Sequence, residues 1–405
     1  MRILILLTQD IESPSGLGRY YPLARAFAEQ GHAVTIAALH PRFESLPQGT
    51  VHSGGVTVQY VAPMHVRKHG SAKEYYSPFK LAVVLLRAAF QLTRAALRTP
   101  ADIIVVGKPH PMNGIAGLIG RAFRRGRLVV DCDDFEAGSG HFKNALQRRV
   151  VALFERYLPR LADAVTTNTL FMRENLIRWG VAAGKIFYLP NGYDEQRFKE
   201  PDPNMVEKLA AGLDLRGHKV IAFIGSLSLV NHPVDLLVEA FARVRAAVPA
   251  AVLLIVGGGE DLETLRNMAA EIGVADAVRF CGRVPPDAVP LYYRLADVTV
   301  DPVYDDDAAR GRCPLKLFEG WASGVPVVTS DVGDRKMLAG DPPSAKFAGA
   351  GDSASLANAI IAVLNDPVQS ETLAARGAEI VQDYGWQTLA QQWLDQFGEA
   401  RSPQP

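Results

Sequence analysis

Short runs rich in β-branched residues recur along this chain, each followed by a helix-compatible stretch, and the order restarts once. The runs are Arg2 to Leu7, Ala33 to Ala38, Val56 to Val61, Asp102 to Val106, Leu128 to Asp131, Ala164 to Thr167 and Ile186 to Leu189. The second set is Val220 to Gly225, Val252 to Val256, Val278 to Cys281, Val298 to Asp301 and Val325 to Thr329. Strand and helix alternating twice predict an α/β protein with two doubly wound, Rossmann-like domains, each around a parallel sheet. Ligands of such sheets bind beyond the carboxyl ends of the strands, so two facing sheets are expected to share one central cleft.

A length of 405 residues exceeds what one core usually organises. Turn formers cluster from Pro190-Asn191-Gly192-Tyr193-Asp194 to Pro203, which places the seam there. The expected division is 1–190, 191–385 and a terminal segment 386–405 with a helix at Trp386 to Phe397. Two further helices are expected at Ser353 to Leu364 and Ser370 to Gln382, and the tail Arg401 to Pro405 is expected to fray. The zero net charge hides an asymmetry. Residues 1–190 hold 24 Lys and Arg against 13 Asp and Glu, and residues 191–405 hold 19 against 30. Opposite halves of this kind point to different partners for each domain. The three cysteines, Cys132, Cys281 and Cys313, have no metal-ligand spacing and fit a reducing cytoplasm. The apolar run Ile3 to Leu7 is short for a signal peptide, and Arg87, Arg94 and Arg98 interrupt the best candidate for a membrane span.

The segment Pro314 to Val328 reads as a helix that starts in a loop, carries Glu319 on an otherwise apolar face, stops at Gly324 and runs into a buried strand. Pro314 suits the first helical position. The free amides that follow it, at Leu315 and Lys316, carry the positive end of the helix dipole, and the Lys316 ammonium adds a full charge. Glu319, more than a turn further on, is placed to reach a hydroxyl-bearing group whose phosphate sits at the amides. The same residues also suit an ordinary αβ unit with a solvated Glu. The segment resembles the donor-binding signature of the retaining glycosyltransferases of family 4, the group 1 glycosyltransferases of GT-B fold, in which the glutamate at this position meets the nucleotide ribose. Leu189 to Asp194 through Phe198 resembles the interdomain signature of that family. The resemblance covers nearly the whole chain, and it implies that the last helix crosses back to the first domain.

In the first half, Ser13 to Tyr20 follows a strand and opens a helix. Gly16, Gly18 and Arg19 match the family loop that faces acceptor and donor phosphates, although a tight turn with a surface Arg would look alike. A nicotinamide site is disfavoured, because Tyr21 stands where the third glycine belongs and the second strand ends without a carboxylate. Asp131 to Glu136 ends a buried strand in a cluster of acids, which raise one another's pKa and so make a proton acceptor near neutral pH. Asp133, Asp134 and His110 are the catalytic candidates. Helix capping by the acids and a plain loop role for His110 are the alternatives. Relatives often carry a histidine where this chain has Asp133 or Asp134.

In the second half, Phe223 to Phe241 resembles the family's first donor-side unit, but Ser226 and His232 replace the usual arginine and lysine. Lys316, with Arg312 and Arg310, is expected to hold the donor diphosphate in their stead. The first glutamate of the family signature is replaced by Gly311, and Asp305, Asp306 or Asp307 would have to supply it. Gly225, Gly258 and Glu260 match glycine-rich turns facing the nucleotide, and Arg283 and Val284 match the segment that reads the base.

The resemblance implies transfer of a sugar, with retention of configuration, from a nucleotide-sugar donor to a sugar, glycan or lipid-linked hydroxyl acceptor in envelope polysaccharide or glycolipid synthesis. The nucleotide sugar is a substrate, and no metal, cofactor or nucleic acid is expected. The rival readings are a GT-B sugar-nucleotide epimerase and a binding protein with a degenerate donor site. Basic residues interleave with apolar ones over residues 78–98, and Arg121, Arg124, Arg125 and Arg127 form a second basic group. That pattern fits peripheral contact with the inner face of an anionic membrane as well as a core helix with a basic edge.

Overall fold

The computed structural model describes residues 1–47, 49–69, 72–124, 126–139 and 144–398. Arg125 and the tail 401–405 lie outside the described residues. The chain divides into two compact units, one formed by Met1–Asn191 with the segment from Trp386 onward, the other by Gly192–Gly385.

The first unit contains β1 (Arg2–Leu7), β2 (Ala33–His40), β3 (Thr50–Ser53), β4 (Val56–Pro63), β5 (Val66–His69), β6 (Ala72–Tyr75), β7 (Ile103–Gly107), β8 (Arg127–Cys132), β9 (Ala164–Thr167) and β10 (Ile186–Tyr188). Its eight-stranded sheet runs β10-β9-β8-β7-β1-β2-β4-β3, while β5 and β6 pair separately. All pairs in the sheet are parallel except β3 with β4. β1 is buried from Ile3 to Leu7, which is why it reads as a continuous apolar run. β3 was not anticipated. Every residue of it is exposed, so it has no apolar alternation to detect.

Helices Pro78–Arg98, Pro111–Arg124 and Ala145–Leu161 share a core on one side of this sheet with Leu4, Leu6, Val106 and Val130. Ile3, Ile5 and Leu7 alternate to the other side, where they meet Phe27 and the helix Trp386–Phe397. That last helix buries Trp386, Leu389, Ala390, Trp393, Leu394 and Phe397, a single stripe at helical spacing. The Trp393 ring lies 4.9 Å from Phe27 and 4.8 Å from Phe397, and the Arg127 guanidinium donates to the Phe397 carbonyl at 2.7 Å.

The second unit contains β11 (Lys219–Ile224), β12 (Ala251–Val256), β13 (Val278–Gly282), β14 (Val298–Val300), β15 (Val327–Ser330) and β16 (Ala345–Ala348). They form one parallel sheet in the order β13-β12-β11-β14-β15-β16. The strand order reverses beside β1 in the first sheet and beside β11 in the second, and the crevice for a ligand lies outside the carboxyl ends of the strands at such a point. In the first unit the place is between β1 and β7. In the second it is between β11 and β14.

Truncating a fully buried tryptophan removes its burial energy and leaves a cavity, so Trp393→Ala is expected to cost the first unit about 3–5 kcal/mol. Denaturant unfolding measures this, and a loss under about 1 kcal/mol would show that the helix is only loosely docked.

Candidate functional site

At the switch point of the second unit, Gly225 follows β11 and Asp301 follows β14. The helix Leu315–Ala322 starts beside them. Pro314 is its cap in extended conformation (φ −77°, ψ 119°) rather than its first helical residue, which leaves Leu315 and Lys316 to open the helix. The helix ends with Gly324 at φ +68°, the Gly324 N–H bonding the Trp321 carbonyl and the Val325 N–H the Gly320 carbonyl, a Schellman closure. A Cβ on Gly225 would stand 2.9 Å from Lys316 Cε, so a larger residue there would displace the end of the lysine side chain. Lys316 is buried over the Phe223 ring at 5.1 Å, with its ammonium 3.6 Å from Asp301. Asp301 is also held by Arg335 at 2.9 Å. One buried carboxylate thus serves two buried cations. Burial, helped by Arg312 and Arg335, lowers the Lys316 pKa against the pull of Asp301. Arg312 adds a third positive group nearby, its guanidinium donating to the backbone carbonyl and side-chain oxygen of Asn231. Asn231, His232, Asp301, Arg312 and Arg335 line one shallow depression.

Further along the helix, Glu319 accepts from Arg197 at 2.6 Å through one oxygen and from the Tyr293 hydroxyl at 3.1 Å through the other. Burial raises its pKa, and Arg197, Tyr293 and Lys316 oppose that rise. Removing one partner from such a buried ion pair costs about 3–5 kcal/mol, so Arg197 and Glu319 are mutually dependent.

At the switch point of the first unit the loop after β7 turns through Lys108, a non-glycine residue at φ +61°. The Asn113 side-chain amide holds that turn by donating to the Leu6, Gly107 and Lys108 carbonyls at 3.1, 2.8 and 3.0 Å. The buried Lys108 ammonium reaches Asp134 at 2.9 Å, Glu136 at 2.5 Å and Asp133 at 3.7 Å. His110 pairs its Nδ1 with the Thr8 hydroxyl at 2.8 Å and lies 3.5 Å from Glu136 through Nε2. Asp133 Oδ2 and His110 Nε2 are buried without a hydrogen-bond partner. Burial, reinforced by Asp134, pushes the Asp133 carboxyl up to about 8 against the pull of Lys108. Burial and Glu136 likewise push Glu155 up to about 8, although it accepts from the Glu136 N–H at 2.8 Å.

Residues 15–192 match the family model described as glycosyl transferase 4-like domain, and residues 218–366 match the model described as glycosyl transferases group 1. The chain belongs to the group 1 glycosyltransferases. It is 31% identical over 236 residues to the GDP-mannose-dependent alpha-(1-6)-phosphatidylinositol monomannoside mannosyltransferase of Mycobacterium tuberculosis, a match covering 58% of this chain and 61% of that protein. The match therefore spans less than two thirds of that relative. Among solved structures it resembles the sucrose-phosphate synthase of Thermosynechococcus elongatus (TM-score 0.77, 19% identity, 98% of both chains). It also resembles Anabaena HepE in complex with UDP-glucose (TM-score 0.72, 19% identity, 98% of this chain and 99% of that one). The fold is GT-B.

In this group 1 glycosyltransferase the donor-side candidates divide. Gly225, Lys316 and Glu319 gather around the helix Leu315–Ala322, while His232 and Arg312 line the depression beside Asp301. Arg310 does not join them, because it is exposed and pairs with Asp305 at 2.8 Å. Asp306 caps the short helix Asp307–Arg310, so its carboxylate is engaged by the Ala309 N–H, and Asp305 and Asp307 are exposed beside Arg310. Ser226 is exposed, Glu260 is exposed 3.3 Å from the Ser228 hydroxyl, and Gly258 accepts the Leu227 N–H after β12. Arg283 is exposed past β13, and Val284 packs against the core under that strand.

The glycine loop of the first unit departs from expectation. Arg19 is not a surface cation: it is 1% exposed and forms two hydrogen bonds with Asp131, at 2.8 and 2.7 Å. Its charge is compensated inside the unit, which removes it from the set able to meet a phosphate. Gly16 and Gly18 are buried in the wide turn Gly16–Tyr20, and a Cβ on Gly16 would fall 2.2 Å from the Asp10 carbonyl. Sequence reading also missed Arg197, Tyr293, Asp301, Arg335 and Lys108. Asp301 had a visible signal, an acid at a strand's carboxyl end. The others are brought in by folding from unremarkable positions.

Both raised carboxyls, Asp133 and Glu155, have folded-state pKa values above the unfolded ones. Their stabilising share is complete below about pH 4 and is lost as pH rises through about 8. Asp133→Asn removes one of them. Its stability relative to the native chain should therefore improve between pH 6 and pH 9 in denaturant unfolding, and a constant difference would refute the raised Asp133 pKa.

Proposed function

We propose that this glycosyltransferase transfers a sugar, with retention of configuration, from a nucleotide-sugar donor to a hydroxyl acceptor. The observation that carries the reading is the unbalanced buried charge at the start of the helix Leu315–Ala322, where Lys316 and Arg335 share Asp301. A donor diphosphate placed there supplies the missing negative charge, meets the helix amides and returns the Lys316 ammonium toward its ordinary pKa. Arg312 is the second phosphate contact. Protein cations thus take the part that a metal plays elsewhere. Glu319 faces the ribose hydroxyls, and Arg283 and Val284 sit where the base is expected.

In the first unit, Asp133 and His110 receive the acceptor hydroxyl, through Oδ2 and Nε2 atoms whose charged neighbours, Lys108 and Glu136, stand at the longer distances of 3.7 and 3.5 Å, and Asp134 is the more exposed member of the cluster. With the Asp133 carboxyl near 8, a proton can be held or taken there close to neutral pH. The Mycobacterium tuberculosis relative is named for GDP-mannose and a phosphatidylinositol mannoside, which supports an envelope glycolipid or polysaccharide acceptor.

A lipid-linked acceptor is also favoured by the surface of the first unit. Among the described residues no helix is long and apolar enough to cross a membrane. The helix Pro78–Arg98 instead buries Val84, Ala88, Leu92, Ala95 and Ala96 and presents Phe79 (83% exposed), Leu86 (72%) and Phe90 (66%) outward. Helix Ala145–Leu161 does the same with Leu146, Val150, Leu153, Tyr157 and Leu161. These two helices and Pro111–Arg124 carry one acidic residue, Glu155, and it is buried. Lys80, Arg87, Arg94, Arg148, Arg149 and Arg156 are among the basic residues that flank the apolar stripes. Arg127 is not one of them, since its guanidinium is engaged by Phe397. This is the pattern of an interfacial layer for an anionic bilayer.

If Lys316 meets the diphosphate, Lys316→Ala should weaken UDP or GDP by about 10- to 100-fold in isothermal titration while barely changing the bare nucleoside. Equal weakening of both would remove the phosphate assignment, and sugar transfer to an added acceptor separates an enzyme from a binding protein. For the surface, vesicle sedimentation should show binding to anionic but not neutral vesicles, reduced by salt and by reversing Arg87 and Arg94 to Glu. Binding to neither vesicle type would favour a soluble acceptor.

A further inference from the structure

The segment that opens the second unit does more than connect. Asp194 folds it into a turn by accepting from the Gln196 and Arg197 N–H groups through its side chain and from the Arg197 and Phe198 N–H groups through its carbonyl. That turn fixes two neighbouring side chains. The Arg197 guanidinium lies over the Phe198 ring at 5.0 Å, and the Phe198 ring stands 6.0 Å from Tyr293. Arg197 and Tyr293 then close on the two oxygens of Glu319, at 2.6 and 3.1 Å. The ion pair is nearly dry, with the two side chains 10% and 12% exposed.

An ionised carboxylate offers about four acceptor positions. Arg197 and Tyr293 each occupy one, on different oxygens. One position per oxygen is left, which is the pattern required to accept from two adjacent hydroxyls. The clamp also prevents the carboxylate from turning about its own axis, and the guanidinium opposes the loss of its charge on burial.

We propose that Arg197 is a positioning residue of the donor site: with Tyr293 it holds Glu319 charged and oriented so that one lone pair of each oxygen faces the vicinal hydroxyls of the ribose. The inference rests on the reading of Glu319 as the ribose contact. It assigns sugar discrimination, ribose over deoxyribose, to a residue that does not itself touch the nucleotide.

The test compares UDP and GDP with their 2′,3′-dideoxy analogues by isothermal titration on the full chain. The native protein should prefer the ribonucleotide by roughly 10- to 100-fold, the loss expected for hydrogen bonds to a charged group. Glu319→Gln should lose most of that preference. Arg197→Ala should reduce it to within about threefold although Glu319 is still present, and Arg197→Lys should restore most of it. A merely structural role would weaken both nucleotides alike and leave their ratio unchanged. If Arg197→Ala folds poorly, Arg197→Gln, which retains a side chain over Phe198, is measured instead with the same expectation. A native protein that shows no preference for ribose over dideoxy forms, or a Glu319→Gln variant that keeps the native preference, overturns the ribose reading, and the inference falls with it. Discrimination that is present in the native chain, lost in Glu319→Gln and intact in Arg197→Ala overturns the role of Arg197 alone.

Discussion

The buried pair between Arg19 and Asp131 is the constraint on which the first unit depends. The guanidinium reaches both carboxylate oxygens, and it also donates to the Leu189 and Pro190 carbonyls and the Asn191 side chain. Asp131 is held a second time by the Thr166 hydroxyl. Burial drives the Asp131 pKa up, yet Arg19 and Thr166 keep it below the ordinary carboxylate value. A single arginine therefore ties the turn after β1 to the ends of β8 and β9 and to the strand β10 by which the chain leaves the unit. A buried pair of this kind adds little net stability over apolar packing, but breaking it leaves an isolated charge, so it specifies one arrangement. The acid cluster that follows β8 inherits its position from that arrangement.

The two units treat buried charge differently. In the first, Lys108 faces three carboxylates, so the cluster has an excess of negative groups and one of them, Asp133, keeps its proton toward about 8. In the second, Asp301 faces Lys316 and Arg335, so the excess is positive, and burial, with Arg312 and Arg335 beside it, lowers the Lys316 pKa. One cluster is rich in carboxylates and the other in cations. Each sits where the strand order of its own sheet reverses.

Much of the backbone was legible. The strands at β1, β2, β4 and β7 through β15 were all visible as β-branched runs, because strands covered on both faces need apolar residues at every position. β3, β5, β6 and β16 were not visible: β3 is wholly exposed, β5 and β6 pair only with each other outside the main sheet, and β16 is a short edge strand, Ala345–Ala348, with a lysine in it. At the site, Lys316 and Glu319 could be singled out since one helix carries both. Arg19 was misplaced for the opposite reason. Its partner stands 112 residues away, and local pattern cannot tell a surface arginine from a buried one.

What the sequence determined by itself is whatever depends on neighbours within a few residues: periodicity of strands and helices, the glycine that stops the helix at Gly324, and the composition of the loops at strand ends. Tertiary structure decided which charges meet. Arg197 reaches Glu319 across 122 residues, and Lys108 reaches Glu136 across 28. Burial then sets whether a group keeps or loses its proton, because the energy of a charge depends on all the dipoles and ions packed around it. Hydrophobic pattern is a local property of the chain and survives in one dimension. Electrostatic pairing is a property of the assembled interior and exists only after folding.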